Sequence, residues 1–396
     1  MRAITRPLSD FTDTIPDLND IVAGHGHLFV RDGSGVAAVG VAQRVEADRA
    51  VAVLRSIDHD STVADAAPLA LGCIPFLPES PAELIIPAVT VGKRGDRVWV
   101  TAIDDADVEA ALTPPPEPEP SAANWSIRPL VDEAHYLAAV TAARDAVRSG
   151  TLTKAVIARP IEVRADREID VHAVLRRLKA SFGSSYRYSI DGFIGASPEL
   201  LVDVDGPVVR SHPLAGTTAR TGDVDNDARL AAELQASAKN QIEHRVVIDD
   251  VHDRLLPWAS YLDWEPEPSI VTVANVQHLG TRMEGMLSQP GPSVVELVRA
   301  LCPTPALGGH PRAEALALIA RVEGFTRGRY GGAVGWVDAN GDGTWAVAIR
   351  CAEFSDDRTS ARLVAGGGIV AESEPLSELA ETQAKFQAML GAIVRP

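Results

Sequence analysis

Residues 193–220 read FIGASPELLVDVDGPVVRSHPLAGTTAR, with runs of alternating apolar residues on either side of Asp205-Gly206. An Asp-Gly pair between such runs is a strong signal for a tight β-hairpin, because both residues tolerate the positive φ angles of a two-residue turn. The stretch therefore predicts two antiparallel strands and places Glu199 in the first of them. Short strands and hairpins recur in other parts of the chain, which is typical of an α+β fold with an antiparallel sheet core.

A strand that carries a lysine among apolar residues precedes this hairpin. The sequence TKAVIARPIEV begins at residue 153 and is rich in β-branched residues, which favour extended chain. Because side chains alternate between the two faces of a strand, Lys154, Val156 and Ala158 share one face. The pattern thus predicts a lysine that is held among apolar neighbours.

Two helices carry carboxylates at helical spacing. One is predicted over residues 227–256, where Lys239 and Glu243 lie one turn apart on the same face. The other lies near the end of the chain and carries Glu378 and Glu381 at i and i+3, again on one face. A ligand set of carboxylates without cysteine or histidine favours a hard cation, above all Mg²⁺ with several bound waters. The alternative from the residues alone is that both are ordinary solvent-facing helix surfaces.

The last third of the chain contains a hairpin, GGAVGWVDANGDGTWAVAIRCAEF, whose second strand alternates large and small residues. Arg350 is predicted to project from this strand above a floor of alanines, which leaves space for a ligand beside the guanidinium. Residues 338–343 resemble half of a calcium loop, but Ile349 occupies the position that needs a bidentate glutamate. Residues 366–371 resemble a dinucleotide-binding loop, yet they follow a hairpin and lead into acidic residues. Neither segment is predicted to bind the ligand that its pattern suggests.

The composition excludes several classes of function. The chain has 396 residues with 37 basic and 54 acidic side chains and a net charge of −17, so it lacks the basic surface that nucleic-acid binding requires. Its three cysteines, Cys73, Cys302 and Cys351, form no C-x-x-C pair, and no apolar run reaches the roughly 18 residues of a membrane span. We therefore expect a cytoplasmic protein that binds neither nucleic acid nor membrane.

A proline- and glutamate-rich segment at residues 113–124 divides the chain. Proline lacks a backbone donor and disfavours regular structure, so this segment is predicted to be a linker or a long surface loop. Residues 1–112 contain several predicted strands but no cluster of titratable groups that suggests chemistry. The candidate functional residues all lie in residues 125–396.

From residue 125 to its end, about two thirds of its length, the chain resembles the chorismate-utilising enzymes, a family that includes isochorismate, salicylate, anthranilate and aminodeoxychorismate synthases. Nine motifs carry the resemblance in order along the chain: KAVIAR (154–159), GASPELLV (195–202), PLAGTTAR (213–220), KNQIEHRVVIDD (239–250), VQHLGT (276–281), PTPALGGHPR (303–312), RGRYGGAVGW (327–336), AIRCAE (348–353) and AGGGIVAESEPLSELAET (365–382). The resemblance implies a large antiparallel two-sheet core with helices packed outside, and a catalytic domain at 125–396 on which the strand-rich residues 1–112 pack.

Within the family the chain is most similar to the isochorismate synthase branch, which carries the P-T-P-A-L loop and the V-G-W-x-D-x-x-G-D-G hairpin. Cys302 departs from that pattern, since a histidine is expected before the loop, and Gly308 and His310 depart from it within the loop. Ala215 stands where aminodeoxychorismate synthase carries a nucleophilic lysine, so water is the expected nucleophile. The resemblance thus implies isomerisation of chorismate to isochorismate, by water attack at C2 and loss of the C4 hydroxyl.

The resemblance assigns a base and an acid to this reaction. It makes Lys154 the general base that activates water and Glu199 the general acid that protonates the departing hydroxyl, and it places His278 beside the leaving-group side of the ring. An ordinary glutamate has a pKa of about 4.3 and an ordinary lysine one of about 10.4, so to act near neutral pH Glu199 needs a raised pKa and Lys154 a lowered one. Burial among apolar strand residues raises the pKa of a carboxyl and lowers that of an amine, so it would shift both in the required direction.

The resemblance also implies how the dianionic substrate is held. Mg²⁺ bound by Glu243 and Glu381, with Glu378 and Asn240 beside them, would bind the ring carboxylate. The other implied contacts are Arg350 and Tyr330 on the enolpyruvyl carboxylate, the backbone amides of Gly216, Thr217, Gly366 and Gly368, and an apolar wall formed by Ala306 and Leu307.

Three alternatives stay open. A salicylate synthase would also eliminate pyruvate, an anthranilate synthase component I would need an amidotransferase partner, and a silent chorismate- or Mg²⁺-binding protein would form no product. The apolar Ala306 and Leu307 favour isochorismate, because they offer no polar side chain to assist loss of the enolpyruvyl group. We expect a monomer whose product passes to further enzymes of siderophore, salicylate or menaquinone synthesis.

Overall fold

The computed structural model describes residues 1–77, 79–113, 124–273 and 276–394. These residues form twenty-five strands and ten α-helices, so the fold is a mixed α and β structure as predicted. The loop predicted at 113–124 lies outside the described residues except for its two ends. Within the described ranges no helix combines the length and apolar character needed to cross a bilayer.

The strands, in chain order, are β1 (Arg2–Pro7), β2 (His27–Arg31), β3 (Ser34–Val39), β4 (Gln43–Glu46), β5 (Asp58–Ser61), β6 (Leu69–Ile74), β7 (Glu83–Ile86), β8 (Val89–Arg94), β9 (Arg97–Ile103), β10 (Trp125–Pro129), β11 (Lys154–Ala165), β12 (Tyr186–Ile190), β13 (Phe193–Ser197), β14 (Leu200–Asp205), β15 (Val208–His212), β16 (Leu214–Ala219), β17 (Ala259–Trp264), β18 (Ser269–Thr272), β19 (Val276–Gly280), β20 (Met283–Leu287), β21 (Gly309–His310), β22 (Ala333–Asp338), β23 (Gly343–Val347), β24 (Cys351–Phe354) and β25 (Ser360–Ile369). The α-helices are α1 (Leu18–Val22), α2 (Ala50–Arg55), α3 (Val108–Leu112), α4 (Glu133–Arg148), α5 (Val171–Phe182), α6 (Val224–Ala236), α7 (Ala238–Leu255), α8 (Val294–Leu301), α9 (Arg312–Val322) and α10 (Pro375–Ile393).

The strands form three sheets. The large sheet has thirteen strands in the order β10-β11-β25-β24-β13-β12-β2-β3-β8-β9-β1-β5, with β21 also beside β11. The second sheet has nine strands in the order β17-β20-β15-β14-β23-β22-β6-β7-β4, and a small sheet has the order β16-β19-β18. The described pairs are antiparallel apart from β1 and β5, which are parallel. The antiparallel two-sheet core is thus confirmed, and the small third sheet is an addition to it.

Strands from the first third of the chain are integral to both main sheets. β2 pairs with β12 in the large sheet, and β6 pairs with β22 in the second sheet. Residues 1–112 therefore share sheets with the rest of the chain rather than forming sheets of their own. The domain boundaries at residues 112 and 125 stay a prediction.

The hydrophobic core has two layers, because side chains of a strand alternate between its faces. Phe29 of β2 lies in the cluster between the two main sheets, together with Trp345 of β23. Its neighbour Leu28 points to the opposite face and joins a cluster with Leu175 of α5 and Phe386 of α10. Helices thus cover the outer face of the large sheet, as predicted.

The long helix predicted over residues 227–256 is two helices, α6 and α7. Ser237 separates them with extended backbone, and its side chain accepts a hydrogen bond from the Asn240 amide. Serine at this position satisfies an amide that a helix start leaves without a partner, so the second helix begins here. The break leaves Lys239 and Glu243 together on α7.

Candidate active site

A cavity of about 260 Å³ lies where β11 and β25 meet helices α7 and α10. This volume is near the lower end of the range for small-molecule sites. The fourteen residues proposed for catalysis, substrate binding and metal binding all line it: Lys154, Glu199, Gly216, Thr217, Glu243, His278, Ala306, Leu307, Tyr330, Arg350, Gly366, Gly368, Glu378 and Glu381. Cavities of about 530 and 900 Å³ lie elsewhere, and none of these residues lines either of them.

Lys154 is the first residue of β11 and is buried, as the strand pattern predicts. Its Nζ atom lies 2.7 Å from Oε1 of Glu243 on α7, an ion pair that the sequence pattern did not indicate. Gly368 on the neighbouring strand β25 makes this contact possible. A Cβ atom at Gly368 would lie only 2.7 Å from Lys154 Cε and 2.7 Å from Glu243 Oε1, so any larger residue would displace the pair.

Glu199 lies between two strands rather than in the first strand of the hairpin, so that part of the prediction is wrong. β13 ends at Ser197 in the large sheet and β14 begins at Leu200 in the second sheet. Pro198 has no N–H to donate to a strand partner, which fits the end of β13 at this point. The chain thus changes sheets at Glu199 and turns its carboxyl into the cavity.

The carboxyl of Glu199 is fully buried, and burial raises its pKa to about 8. A hydrogen bond from the Leu214 amide, at 3.3 Å to Oε1, and the charge of Lys154 oppose the shift but do not cancel it. The raised pKa that Glu199 needs as a general acid is therefore present. Such a group holds a proton at neutral pH and can donate it.

We predict that turnover falls as the pH rises through about 8, because Glu199 donates a proton and is deprotonated above its pKa. Measurement of kcat/KM between pH 6 and 10 shows this fall, and the enzyme's stability is checked at each pH. A constant kcat/KM across that range would contradict the assignment of Glu199 as the acid.

His278 and the Gly216 backbone form a neutral hydrogen-bonding group at one end of the cavity. Nδ1 of His278 lies 3.2 Å from the Gly216 carbonyl oxygen and 3.1 Å from Thr217 Oγ1. A carbonyl only accepts, so Nδ1 carries the hydrogen and Nε2 is left to accept from Arg350 Nη2 at 3.4 Å. Burial, together with Arg350 and Lys385, lowers the pKa of His278 to about 3, and the ring is neutral at pH 7.

Arg350 lies at a bend between β23 and β24, not on the strand with alternating alanines as predicted. Its φ angle is 52°, in the left-handed region that a non-glycine residue adopts at a cost of about 1–3 kcal/mol. The side chain is buried, and among the described residues no carboxylate lies within ion-pair distance of it. Buried Tyr330 lines the same cavity. A buried cation without an acidic partner in a cavity is suited to an anionic ligand.

Three carboxylates surround the glycine segment at the end of β25. A Cβ atom at Gly367 would lie 2.9 Å from Glu378 Oε2, which would have to shift, and 3.6 Å from Glu381 Oε1, which is an ordinary contact, so glycine lets the Glu378 carboxylate approach the strand closely. Lys385 Nζ lies 2.6 Å from Glu381 Oε1 and donates to the Gly366 carbonyl at 2.8 Å. Burial raises the pKa of Glu381, but Lys385 outweighs it, with help from Arg350 and Lys154, and the pKa lies below its usual value.

Glu378 is a carboxylate whose burial is only partly offset by Ser373, Lys239 and Lys385. Its Oε2 atom is buried without a hydrogen-bond partner, and burial together with Glu381 raises its pKa to about 6. Among the described residues no group of three or more histidine, cysteine, aspartate or glutamate side chains is arranged to hold a metal ion. Mg²⁺ keeps several waters and needs only one or two carboxylates, so the orphaned oxygen beside Glu381 fits this ion.

Some residues of the cavity were not predicted from the sequence. Lys385 follows Glu381 by four residues, a spacing that could have indicated the ion pair. Lys239 was noted only for its helical spacing, and it is exposed at the cavity. No local pattern indicated Pro198, Leu214, Ile349, Cys351, Leu363, Val364, Ala365, Phe386 or Met389.

Comparison with known proteins identifies the family. Residues 82–394 match the family described as "Chorismate binding enzyme". This chain is a chorismate-binding enzyme. The match covers most of the described chain and includes every one of the fourteen cavity residues, so the resemblance stated from nine motifs is confirmed.

Two relatives and one structure illustrate what this chorismate-binding enzyme is similar to. A Mycobacterium tuberculosis protein provisionally named isochorismate synthase MenF is 40% identical over 341 residues, which cover 83% of this chain and 87% of that protein. Isochorismate synthase DhbC of Bacillus subtilis is 37% identical over 337 residues, which cover 82% and 81%. The Escherichia coli menaquinone-specific isochorismate synthase MenF has a similar fold, with a TM-score of 0.86 and 24% identity over 100% of this chain and 94% of that one.

Proposed function

We propose that this chorismate-binding enzyme is an isochorismate synthase, an isomerase that moves a hydroxyl from C4 to C2 of chorismate. The observation that carries the proposal is the pairing, in one cavity, of a buried lysine with a buried carboxyl that holds its proton. Lys154 and Glu199 line the same space, and the pKa of Glu199 is about 8. Exchange of a hydroxyl between two carbons of one ring needs one group that takes a proton and one that gives it.

The side chains around the ring support water as the nucleophile. Ala215 lines the cavity and offers no amine that could attack the ring in place of water. In its uncharged form Lys154 would take the proton from that water as it attacks C2, and Glu199 would give its proton to the hydroxyl that leaves C4. Ala306 and Leu307 close the cavity with apolar side chains, which limits the space to few waters.

Substrate binding would rest on the cations and donors of the cavity. Arg350 has no acidic partner among the described residues, so its guanidinium can bind a carboxylate through two parallel hydrogen bonds. Mg²⁺ would be held by Glu243 and Glu381, with Glu378 beside them, and when bound it would supply positive charge for the ring carboxylate of a dianion in an acidic protein. The monomeric state and the cytoplasmic location stay predictions.

A product analysis tests the proposed function. With chorismate, Mg²⁺ and an ammonium salt at neutral pH, we expect a plateau with chorismate and isochorismate both present and no pyruvate. The same mixture should form from either compound, because both directions only exchange a hydroxyl on one ring and the bond energies nearly cancel. Chromatography follows the two compounds, and a coupled assay for pyruvate monitors the elimination.

Each alternative gives a different result in that assay. Steady and complete conversion to salicylate with release of pyruvate would identify a salicylate synthase, because formation of an aromatic ring cannot be balanced by the reverse reaction. Anthranilate formation in the ammonium salt would identify an anthranilate synthase. Unchanged chorismate would indicate a silent binding protein.

A further inference from the structure

The strand that carries Lys154 has a gap on its outer edge. β11 pairs with β21 at Lys154 and Ala155, and with β10 from Ile161 to Ala165. Between these two partners no described strand pairs with this edge, where the Val156 carbonyl and the Ala158 amide point outward. The Val156 amide itself donates to the Gly308 carbonyl at 3.0 Å. Buried backbone groups without partners are costly, so something else must satisfy them.

Two buried side chains occupy that gap. Oε1 of Glu323, at the end of α9, accepts the Ala158 amide at 2.7 Å, and Nη2 of Arg327 donates to the Val156 carbonyl at 2.7 Å. The two side chains also bind each other, with Arg327 Nε 2.8 Å from Glu323 Oε2 and a second, shorter contact from Nη2. They are 2% and 4% exposed, so the pair substitutes for a missing strand inside the protein.

The other arm of Arg327 reaches the wall of the cavity. Nη1 donates to the Leu307 carbonyl at 2.7 Å, and the guanidinium lies 4.3 Å from the centre of the Phe76 ring. Phe76 comes from the first third of the chain, and its amide donates to the Gly328 carbonyl at 3.0 Å. One guanidinium therefore connects the Lys154 strand, the Leu307 loop and the N-terminal part of the fold.

Stability alone is a weak reason for such a pair. Removing two charges from water costs several kcal/mol per ion, and apolar side chains of similar size often stabilise a core as well or better. What apolar side chains cannot do is bind two carbonyls and a carboxylate in fixed directions. A guanidinium does this through its planar set of donors, whereas the single ammonium of a lysine cannot.

We propose that Arg327 is a positioning residue for the reaction, which fixes the Leu307 wall relative to the strand that presents Lys154. The inference rests on the proposed function, since the group that is positioned is the base. Water must be held between Lys154 and the ring, and displacement by about 1 Å can lower a rate by about a hundredfold. Arg327 does not line the cavity, and its guanidinium binds Glu323, Val156 and Leu307 instead, so it would touch neither substrate nor metal.

Steady-state kinetics of the Arg327→Lys variant test this role. We expect kcat to fall by about ten- to a hundredfold and the KM for chorismate to change by less than about threefold, because the anionic groups of the substrate bind elsewhere. Arg254→Lys is the matched control. Arg254 also pairs with an acid four residues away, Asp250 at 2.7 Å, and also donates to a backbone carbonyl, that of Ala300 at 3.3 Å. Neither Asp250 nor Ala300 lines the cavity, whereas Val156 and Leu307, which Arg327 binds, both line it.

A second variant covers the case in which Arg327→Lys does not fold. Phe76→Leu removes the ring beside the guanidinium and keeps every hydrogen bond of Arg327, so we expect a smaller fall in kcat, again with KM nearly constant.

Two results would overturn the proposal: wild-type kcat in a folded Arg327→Lys variant, or an equal fall of kcat in the Arg254→Lys control. If Arg327→Lys does not fold, wild-type kcat in Phe76→Leu would overturn it. If the wild type forms another chorismate product, the proposed function fails, while the same comparison of kcat still decides the role of Arg327.

Discussion

Replacement of Lys154 by alanine or of Glu199 by glutamine is expected to lower the turnover of chorismate by about two to four powers of ten, the usual contribution of a general base or acid. Glutamine has the shape of glutamic acid and keeps an oxygen for the Leu214 amide, but it has no acidic proton to transfer to the leaving hydroxyl. Alanine at position 154 leaves no group there that can take a proton from water. Both changes act on the chemical step, so kcat should fall far more than affinity.

Folding and binding controls separate these effects from a general loss of structure. Glu199→Gln should keep the thermal unfolding midpoint and the affinity for Mg²⁺, since it removes no ion pair. Lys154→Ala leaves Glu243 without its ion-pair partner, so its unfolding midpoint is compared with that of Lys154→Gln, which can still donate a hydrogen bond to Glu243. Near wild-type turnover in a folded variant would remove that residue from the mechanism.

Local sequence patterns predicted those parts of the fold and site that depend on neighbouring residues. The predicted hairpin joins β14 and β15, but its two-residue turn is Gly206-Pro207, because Asp205 still pairs with Val208. Gly206 supplies the positive φ angle, at 59°, so local turn chemistry predicted the hairpin with an error of one residue. Helical spacing correctly placed Glu243 on one helix and the pair Glu378 and Glu381 on another. Periodicity alone could not show that these helices meet at one cavity, and the family resemblance supplied that step.

The remaining features depend on contacts between distant parts of the chain. Glu323 accepts a hydrogen bond from the Ala158 amide, although the two residues are 165 positions apart. The spacing of apolar residues in the sequence does not indicate which strand edge lacks a partner strand. Glu199 and Arg350 were both predicted on strands, but each lies at a bend where the chain leaves a sheet. Alternation of side chains along a strand predicts the face that each one occupies only while the strand continues. The prediction therefore fails where the chain bends out of the sheet, as it does at both of these residues.

Chelation of divalent cations by EDTA is expected to abolish turnover, and added Mg²⁺ to restore it. The lowered pKa of Glu381 keeps this carboxylate ionised at neutral pH, and Glu378 beside it has an oxygen without a partner. Two adjacent carboxylates repel each other and a dianionic substrate, so substrate affinity should depend on a cation that binds beside them.

Glu381→Gln tests the ligand set, because it removes one charge and keeps the size of the side chain. The Mg²⁺ concentration for half-maximal activity should rise by at least about tenfold, and calorimetric binding of Mg²⁺ to the variant should weaken in parallel. Glu372→Gln is the matched control, since Glu372 is an exposed carboxylate that does not line the cavity. Full turnover in metal-free buffer, or an equal loss of Mg²⁺ affinity in both variants, would show that these carboxylates do not hold a metal and that Lys385 and Arg350 alone balance the charge of the substrate.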